Sequence, residues 1–281
     1  MEPLFRLNAP STANLEAFHR DGYLALPDIF TDEARAGLID EIHQIDDVRA
    51  YLRQQDVTDD PEEKRRPYFV RPWNDRGVWG DQLIDAPLVT ALLQATIRAD
   101  YHFCHSALNL APRGAKPIRW HMDHHHWYHD NPVNLAERDK WYIQILYYPN
   151  GFTKGDRNLS VIPGSHRVAP TQDVTVERLL AGEFDEQAGC KLAQKDLELP
   201  PGSMVYLNAR IFHSVAPKPF DSPQPFRIFV IDIFKEAGPP HRHTQDIPAA
   251  WLEGASPLRR QLFRRAPYTP DCWHRDALNN D

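Results

Sequence analysis

The sequence lacks the features that mark secreted, membrane-spanning and thiolate-zinc proteins. It has three cysteines, Cys104, Cys190 and Cys272, and no Cys-x-x-Cys pair, so neither a disulfide framework nor a thiolate zinc site is predicted. No apolar run is long enough to span a bilayer, and the first residues lack a basic start followed by an apolar stretch. We therefore expect a protein of a reducing compartment, the cytoplasm, with no membrane partner.

Charge of one sign is not concentrated in any part of the chain. The formal net charge of -7 is spread along the sequence, and no basic stripe is present that would bind a phosphate backbone. Hydrophobic residues at 42% and charged residues at 25% are ordinary for a globular protein, which excludes disorder. We expect a small-molecule substrate and no nucleic acid partner, and the composition predicts no particular oligomeric state.

Proline and histidine are unusually frequent, with 25 and 14 residues. The prolines separate short apolar runs, as in PGSH (163–166) and PPGS (200–203), which is typical of a protein with many short strands. A chain of 281 residues is within the range of one large all-β domain, so we expect a single domain over residues 1–281.

Residues 1–100 are predicted to be mainly helical and to support a sheet. Ser11 or Thr12 can cap a helix that ends at Gly22, and Thr31 can cap a second one whose first residues are acidic. The second half of this region is predicted to contain a loop and a further helix. Residues 56–73 are charged and lack periodicity, which predicts an exposed loop, either a lid or a plain connection, and Pro87 begins another helix.

From Tyr101 onward the chain changes to short segments that are rich in β-branched and aromatic residues. This pattern predicts an antiparallel β core over residues 101–235, followed by a C-terminal extension over 236–281. Short helices are expected near 174–183 and around 248–265. The predicted strands are 101–111, 118–123, 141–149, 159–164, 203–208 and 226–234.

One His-x-Asp motif carries the chemistry that the sequence suggests. Side chains alternate along a strand, so His121 and Asp123 are expected to point the same way, and His213 follows the apolar run MVYL on another strand. Two histidines and one carboxylate leave coordination positions open, as in Fe(II) oxygenases. Three alternatives remain open: a hydrogen-bonded pair, a zinc site, and metal binding by the neighbouring histidines His124, His125, His126 and His129.

Arg227 lies in the apolar segment PFRIFVIDIF (225–234), where an unpaired guanidinium would be costly to bury. It therefore needs an anion. The C5 carboxylate of 2-oxoglutarate suits the bidentate fork of arginine, while the 2-oxo acid end of that molecule would chelate iron. The alternative is a structural ion pair with an acidic residue such as Asp232.

The ordered motifs WHMD (120–123), VIPGSH (161–166), PPGSMVYLNARIFHSV (200–215) and FRIF (226–229) resemble the phytanoyl-CoA dioxygenase family of Fe(II)/2-oxoglutarate-dependent oxygenases. The segment 15–38 also resembles the helix-strand-helix start of that family. The likeness covers most of residues 15–235. Two departures are a longer stretch at residues 150–158 and the absence of a glycine directly after His213.

The resemblance implies a mainly β fold, a double-stranded β-helix (jelly roll, cupin-like) core with flanking α-helices. It places the metal on His121, Asp123 and His213, and 2-oxoglutarate on Arg227. Asn109 and Gln144 fall where family members often place further cosubstrate contacts. For these two, the alternative is a polar strand residue that is satisfied by neighbouring backbone.

The activity that follows is that of a non-haem Fe(II)/2-oxoglutarate-dependent dioxygenase, with O2 as the other cosubstrate. Hydroxylation of a small polar or natural-product-like molecule, with release of succinate and CO2, is the expected reaction. Desaturation, epoxidation and cyclisation are alternative outcomes of the same oxidation. A non-catalytic jelly roll that binds a metal and a small anion, and a zinc hydrolase, are the competing hypotheses.

Overall fold

The structure is a computed structural model that describes residues 3–71, 73–74, 77–97, 100–123, 142–169, 173–236 and 252–263. Within these residues we number helices and strands in chain order. The helices are α1 (Thr12–Asp21), α2 (Asp32–Gln44), α3 (Asp46–Val57), α4 (Val78–Leu83), α5 (Pro87–Thr96), α6 (Val176–Leu180), α7 (Asp185–Ala188) and α8 (Pro257–Phe263). The strands are β1 (Tyr23–Leu26), β2 (Tyr68–Val70), β3 (Tyr101–Pro112), β4 (Ile118–His121), β5 (Tyr142–Tyr148), β6 (Leu159–Val161), β7 (Lys195–Asp196), β8 (Ser203–Asn208), β9 (His213–Val215) and β10 (Phe226–Glu236).

The described strands form two antiparallel sheets that face each other. The larger sheet has the order β1-β8-β5-β10-β3-β2, and the smaller one has the order β4-β9-β6-β7. Apolar side chains from both sheets, such as Leu146, Val161 and Leu207, form one buried cluster between them. From β3 to β10 the chain repeatedly passes from one sheet to the other. This architecture confirms the prediction of a double-stranded β-helix core.

The N-terminal helices cover the outer face of the larger sheet, which gives the second and larger apolar cluster. Ser11 caps α1, since its hydroxyl accepts the backbone N–H of Asn14 at 3.2 Å, and Gly22 ends the helix at a φ of 82°. Thr31 caps α2 in the same way through the N–H of Ala34. Both helix starts and the end at Gly22 are therefore confirmed.

Some predicted boundaries are wrong. Tyr68–Val70 lies within the expected loop 56–73 but forms β2 on β3. The sequence pattern missed this strand because it has only three residues and charged residues lie on both sides of it. The expected strand 118–123 ends at His121, so Asp123 lies beyond it. The short helix expected near 174–183 is confirmed as α6, which ends before Gly182 at a φ of 84°, and α7 follows beyond the expected range.

The C-terminal helix α8 is the described part of the helix expected around residues 248–265. Its Arg259 donates hydrogen bonds to Asp81 at 2.7 Å and to Asp85 at 2.8 Å. Phe263 packs edge-on against Phe103 of β3. These contacts hold α8 against the side of the molecule that carries α4 and α5. None of the helices in the described ranges is long and apolar enough to cross a membrane.

Candidate metal centre

His121 and His213 meet at the end of the smaller sheet. They are register partners across β4 and β9, and their ring centroids are 4.2 Å apart. Asp123 follows two residues after His121, and its backbone N–H donates to the carbonyl of Ala209 at 3.0 Å. This bond turns the chain toward the two rings. One ligand atom from each of the three residues lies within 4.8 Å of the others.

Backbone carbonyls orient both imidazole rings. Nδ1 of His121 lies 2.7 Å from the carbonyl oxygen of Arg119, and Nδ1 of His213 lies 3.0 Å from that of Ile211. A carbonyl oxygen can only accept, so each Nδ1 carries a hydrogen and Nε2 is the nitrogen of each ring that can bind a metal. Such outer contacts fix the tautomer and the ring plane of metal-binding histidines.

Both Nε2 atoms face the carboxylate of Asp123. Nε2 of His213 is 3.3 Å from Oδ2, and Nε2 of His121 is 3.9 Å from Oδ1. Nε2 of Gln144 donates to the same Oδ2 at 2.5 Å. Gln144 lies on β5 of the facing sheet, so the larger sheet supports a ligand that follows a strand of the smaller one.

The electrostatics of this cluster suit a divalent cation. Burial raises the pKa of Asp123, but the hydrogen bond and charge of His213 outweigh it and hold that pKa well below its usual range. Burial lowers the pKa of His213, and the hydrogen bond and charge of Asp123 more than reverse this effect. The carboxylate thus stays ionised, and a divalent cation bound between it and two neutral imidazoles would compensate its negative charge.

The donor set and its exposure fit a catalytic metal better than a closed structural one. The side chains of His121 and Asp123 are 37% and 31% exposed, whereas that of His213 is 7% exposed. Two nitrogens and one carboxylate on one side of an ion leave the other side open. Zinc also accepts these donors, so ligand type alone does not separate iron from zinc.

Arg227 lies on the inner face of β10, opposite Ala111 of β3, and is 3% exposed. Its Nη1 donates to the carbonyl of Arg157 at 2.7 Å, and its guanidinium lies 5.2 Å from the ring centroid of Phe229. Its Nε is buried and has no hydrogen-bond partner among the described residues. Burial lowers its pKa, because removing a guanidinium from water is costly.

The alternative ion pair between Arg227 and Asp232 is wrong. The two residues are five positions apart on β10, so their side chains lie on opposite faces of the sheet. Asp232 instead accepts a hydrogen bond from Nδ2 of Asn74, at 3.0 Å, in the helical layer.

Asn109 and Gln144 are both buried in the larger sheet, but they make different contacts. The amide of Asn109 donates to the backbone carbonyl of Tyr68 at 3.2 Å, which matches the alternative stated for it. Gln144 contacts Asp123 rather than standing free in the barrel. A cosubstrate contact remains a prediction for both residues. The competing ligands His124, His125, His126 and His129 lie outside the described residues.

The sequence reasoning missed a buried polar group at the Arg227 end of the barrel. Arg157 and Lys218 are each 2% exposed there, and Nζ of Lys218 is 2.9 Å from Asp156. Arg157 stands in the polar stretch 150–158, which gave no sign that its side chain would be buried. The apolar flanks that drew attention to Arg227 are absent there.

A cavity of about 390 Å³ opens on the other side of the smaller sheet. Ser160 of β6 and Ser214 of β9 line it, and Lys154 and Asp196 form an ion pair at its edge at 3.4 Å. Ser214 neighbours His213 in the strand and points to the opposite face. This cavity is therefore separate from the candidate metal centre.

Together, the fold and the cluster define a jelly-roll protein with a candidate mononuclear metal centre of two histidines and one aspartate. The family model described as phytanoyl-CoA dioxygenase (PhyH) matches residues 18–218. The chain belongs to the phytanoyl-CoA dioxygenase family, as its motifs predicted.

Curated relatives are similar to this chain in sequence, and solved structures are similar to it in fold. It is 25% identical over 163 residues to an ectoine dioxygenase of Bordetella bronchiseptica, a match that covers 57% of this chain and 51% of the relative. The matched region thus spans about half the length of the curated relatives. The structure of EctD from S. alaskensis with 2-oxoglutarate and 5-hydroxyectoine aligns with a TM-score of 0.62 at 22% identity, covering 84% of this chain and 81% of EctD. The carbocyclase SnoK from nogalamycin biosynthesis aligns with a TM-score of 0.59 at 14% identity, covering 84% and 88%. At these identities the structural matches confirm the fold.

Proposed function

We propose that this chain is an Fe(II)/2-oxoglutarate-dependent dioxygenase that hydroxylates a small polar or natural-product-like molecule. The observation that carries the proposal is the convergence of two Nε2 atoms on Asp123, with both Nδ1 atoms tied to backbone carbonyls. The buried Arg227, whose Nε has no partner, supplies an anchor for the cosubstrate in the same barrel. Membership of a dioxygenase family supports both assignments.

Each residue has a defined task under this proposal. His121, Asp123 and His213 would hold the iron, and Gln144 keeps the carboxylate of Asp123 in place. Arg227 would bind the C5 carboxylate of 2-oxoglutarate. Bound Fe(II), with 2-oxoglutarate and O2, supplies an oxidation that releases succinate and CO2. The protein contributes orientation and a largely apolar barrel that excludes water.

The helical layer and both sheets take part in this arrangement. α1 to α5 pack on the larger sheet, which carries Gln144 and Arg227, and the smaller sheet carries two of the metal ligands. Because the site residues come from both sheets and the helices pack on one of them, we treat residues 1–281 as one catalytic domain.

Ectoine is the first substrate to test, because the curated relatives are named ectoine dioxygenase. Their 25% identity and partial coverage make other small polar molecules equally worth screening. The fold is shared with proteins described as an epimerase and a carbocyclase, so the products have to be identified by mass. A product heavier by one oxygen atom indicates hydroxylation or epoxidation, and one lighter by two hydrogens indicates desaturation or ring closure. NMR spectra separate the alcohol from the epoxide and identify an epimer, whose mass equals that of the substrate.

The test is succinate release by purified protein supplied with Fe(II), ascorbate and 2-oxoglutarate, with and without O2. We expect succinate only when O2 is present, and loss of it in His121→Ala. His43→Ala is the matched control, because His43 is an exposed histidine on α2. Release that does not need O2, or an active His121→Ala variant, would contradict the proposal.

The same experiment separates the competing hypotheses. A binding protein would take up metal and 2-oxoglutarate but release no succinate at any O2 level. A zinc hydrolase would act on its substrate without O2, and zinc would restore its activity after chelation better than iron.

A further inference from the structure

Two buried arginines lie side by side at the end of the barrel where β9 ends and β10 begins. Arg157 is 2% exposed and Arg227 is 3% exposed. Nη1 of Arg227 donates to the carbonyl of Arg157 at 2.7 Å, so the side chain of one residue reaches the backbone of the other. Burial lowers the pKa of Arg157, and the nearby positive charge of Arg227 lowers it further.

The carboxylate of Asp156, whose charge acts on Arg227, already accepts hydrogen bonds from two other groups. Asp156 accepts a hydrogen bond from Nζ of Lys218 at 2.9 Å through Oδ1, and one from the hydroxyl of Ser222 at 2.6 Å through Oδ2. Neither Arg157 nor Arg227 forms an ion pair with an acidic side chain of the described residues. The end of the barrel therefore holds two guanidinium charges beyond the pair formed by Lys218 and Asp156.

Neither guanidinium group uses all of its N–H donors in hydrogen bonds to the described residues. Arg157 donates from Nη1 to the carbonyl of Lys116 and, at 3.5 Å, toward that of Ala216. The Nε atoms of Arg157 and Arg227 are buried and have no hydrogen-bond partner in the part of the chain that the structure describes. Burial and the charge of Arg227 lower the pKa of Arg157 to about 9, a cost that a bound anion would remove.

Tyr148 lies close to both arginines. Its ring centroid lies 5.6 Å from the guanidinium of Arg227. Burial raises the pKa of its hydroxyl to about 12, against the opposing charges of Arg227 and Arg157. Both guanidinium groups thus act on this one hydroxyl, on the inner face of β5.

The backbone at Arg157 is strained for an arginine. Its φ of 56° lies in the left-handed region that glycine and asparagine adopt more readily. Residues held in this region are concentrated at ligand-binding sites, where the surrounding structure enforces them. The backbone conformation at this position does not favour arginine, so we attribute the presence of arginine to a role of its side chain.

We propose that Arg157 joins Arg227 in a two-arginine pocket that binds the distal carboxylate of a 2-oxo dicarboxylic acid. The inference rests on the proposed function, in which 2-oxoglutarate is the cosubstrate. It assigns Arg157 a direct contact with the ligand and predicts that the pocket prefers dicarboxylic over monocarboxylic 2-oxo acids. An arginine that only braced the strand ends would show no such preference.

The test is anaerobic titration calorimetry of the Fe(II)-loaded protein with 2-oxoglutarate and with 2-oxobutyrate, which lacks the distal carboxylate. Arg157→Gly and Arg157→Asn both suit the backbone angle, and thermal unfolding shows whether they fold. We expect the Kd for 2-oxoglutarate to rise between about tenfold and a hundredfold, as for loss of one charge-assisted contact. The Kd for 2-oxobutyrate should not change, and Arg157→Lys should recover part of the affinity.

Arg113→Gln is the matched control, because Arg113 is an exposed arginine whose side chain donates to the carbonyl of Ser222 in the same region. It should leave both Kd values unchanged. Equal weakening of both ligands in Arg157→Gly, or no weakening of either, would overturn the two-arginine pocket while leaving the proposed function intact. Wild-type protein that binds neither acid would overturn both proposals.

Discussion

Asp232 points away from the barrel, into the helical layer, and we predict that Asp232→Asn changes how stability depends on pH. Its Oδ1 accepts a hydrogen bond from Asn74 at 3.0 Å, and its Oδ2 is buried without a partner. Burial raises the pKa of this carboxyl group to about 8, and the hydrogen bond from Asn74 offsets this only in part. The group is therefore protonated in the folded protein at neutral pH.

The direction of the effect follows from the two states. Between the ordinary value of 3.8 and about 8, the folded chain binds a proton at Asp232 that the unfolded chain has lost. Stability therefore falls as pH rises through this window, with a slope of at most about 1.4 kcal/mol per pH unit. From about pH 6 to about pH 8 the loss amounts to about 2 kcal/mol, which lowers Tm by about 3–4 °C for a chain of this length.

Asparagine keeps the oxygen that accepts from Asn74 and removes the ionisable proton. The assay is chemical unfolding of wild type and Asp232→Asn across this pH range. When the unfolding free energies of the two proteins are subtracted at each pH, the contributions of the ionisable groups that they share cancel. We expect the variant to gain stability relative to wild type as pH rises, whereas Asp40→Asn, at an exposed site on α2, should track wild type. A difference that stays constant with pH would refute the reasoning.

Three further predictions concern single contacts. Gln144→Leu removes the 2.5 Å hydrogen bond to the metal-binding carboxylate and should weaken metal affinity by about 10–100-fold in a metal titration. Gly22→Ala, at a φ of 82° and with a Cβ 2.4 Å from the ring of His166, should cost about 1–3 kcal/mol of unfolding free energy. Gly189→Ala meets no atom within 4 Å and should cost less. Arg259→Met breaks the contacts of α8 and should lower unfolding free energy by about 1–3 kcal/mol and speed proteolysis of that helix.

Local rules accounted for the features that neighbouring residues determine. A capping serine and a left-handed glycine set the ends of α1 within one stretch of chain, so the sequence alone predicted them. The apolar context of Arg227 likewise predicted a buried guanidinium. Ordered motifs then led to the three candidate metal ligands, which the fold brings together.

Contacts between distant segments were beyond such rules. Asp123 faces the two histidines although it lies outside β4, because its N–H bonds to Ala209 on a different part of the chain. The contact of Arg227 with Arg157 joins residues 70 positions apart. Only the packing of the two sheets brings these groups together, and no periodicity or composition encodes it.

The carbonyl anchors of His121 and His213 have a consequence for how this site can diverge between relatives. Each ring is aimed by the peptide group two residues earlier, a group that every amino acid carries. Point mutations at those two positions replace a side chain but leave the anchoring oxygen in place. Substitutions of side chains around the centre can therefore change which substrate binds while the orientation of both histidine rings stays the same.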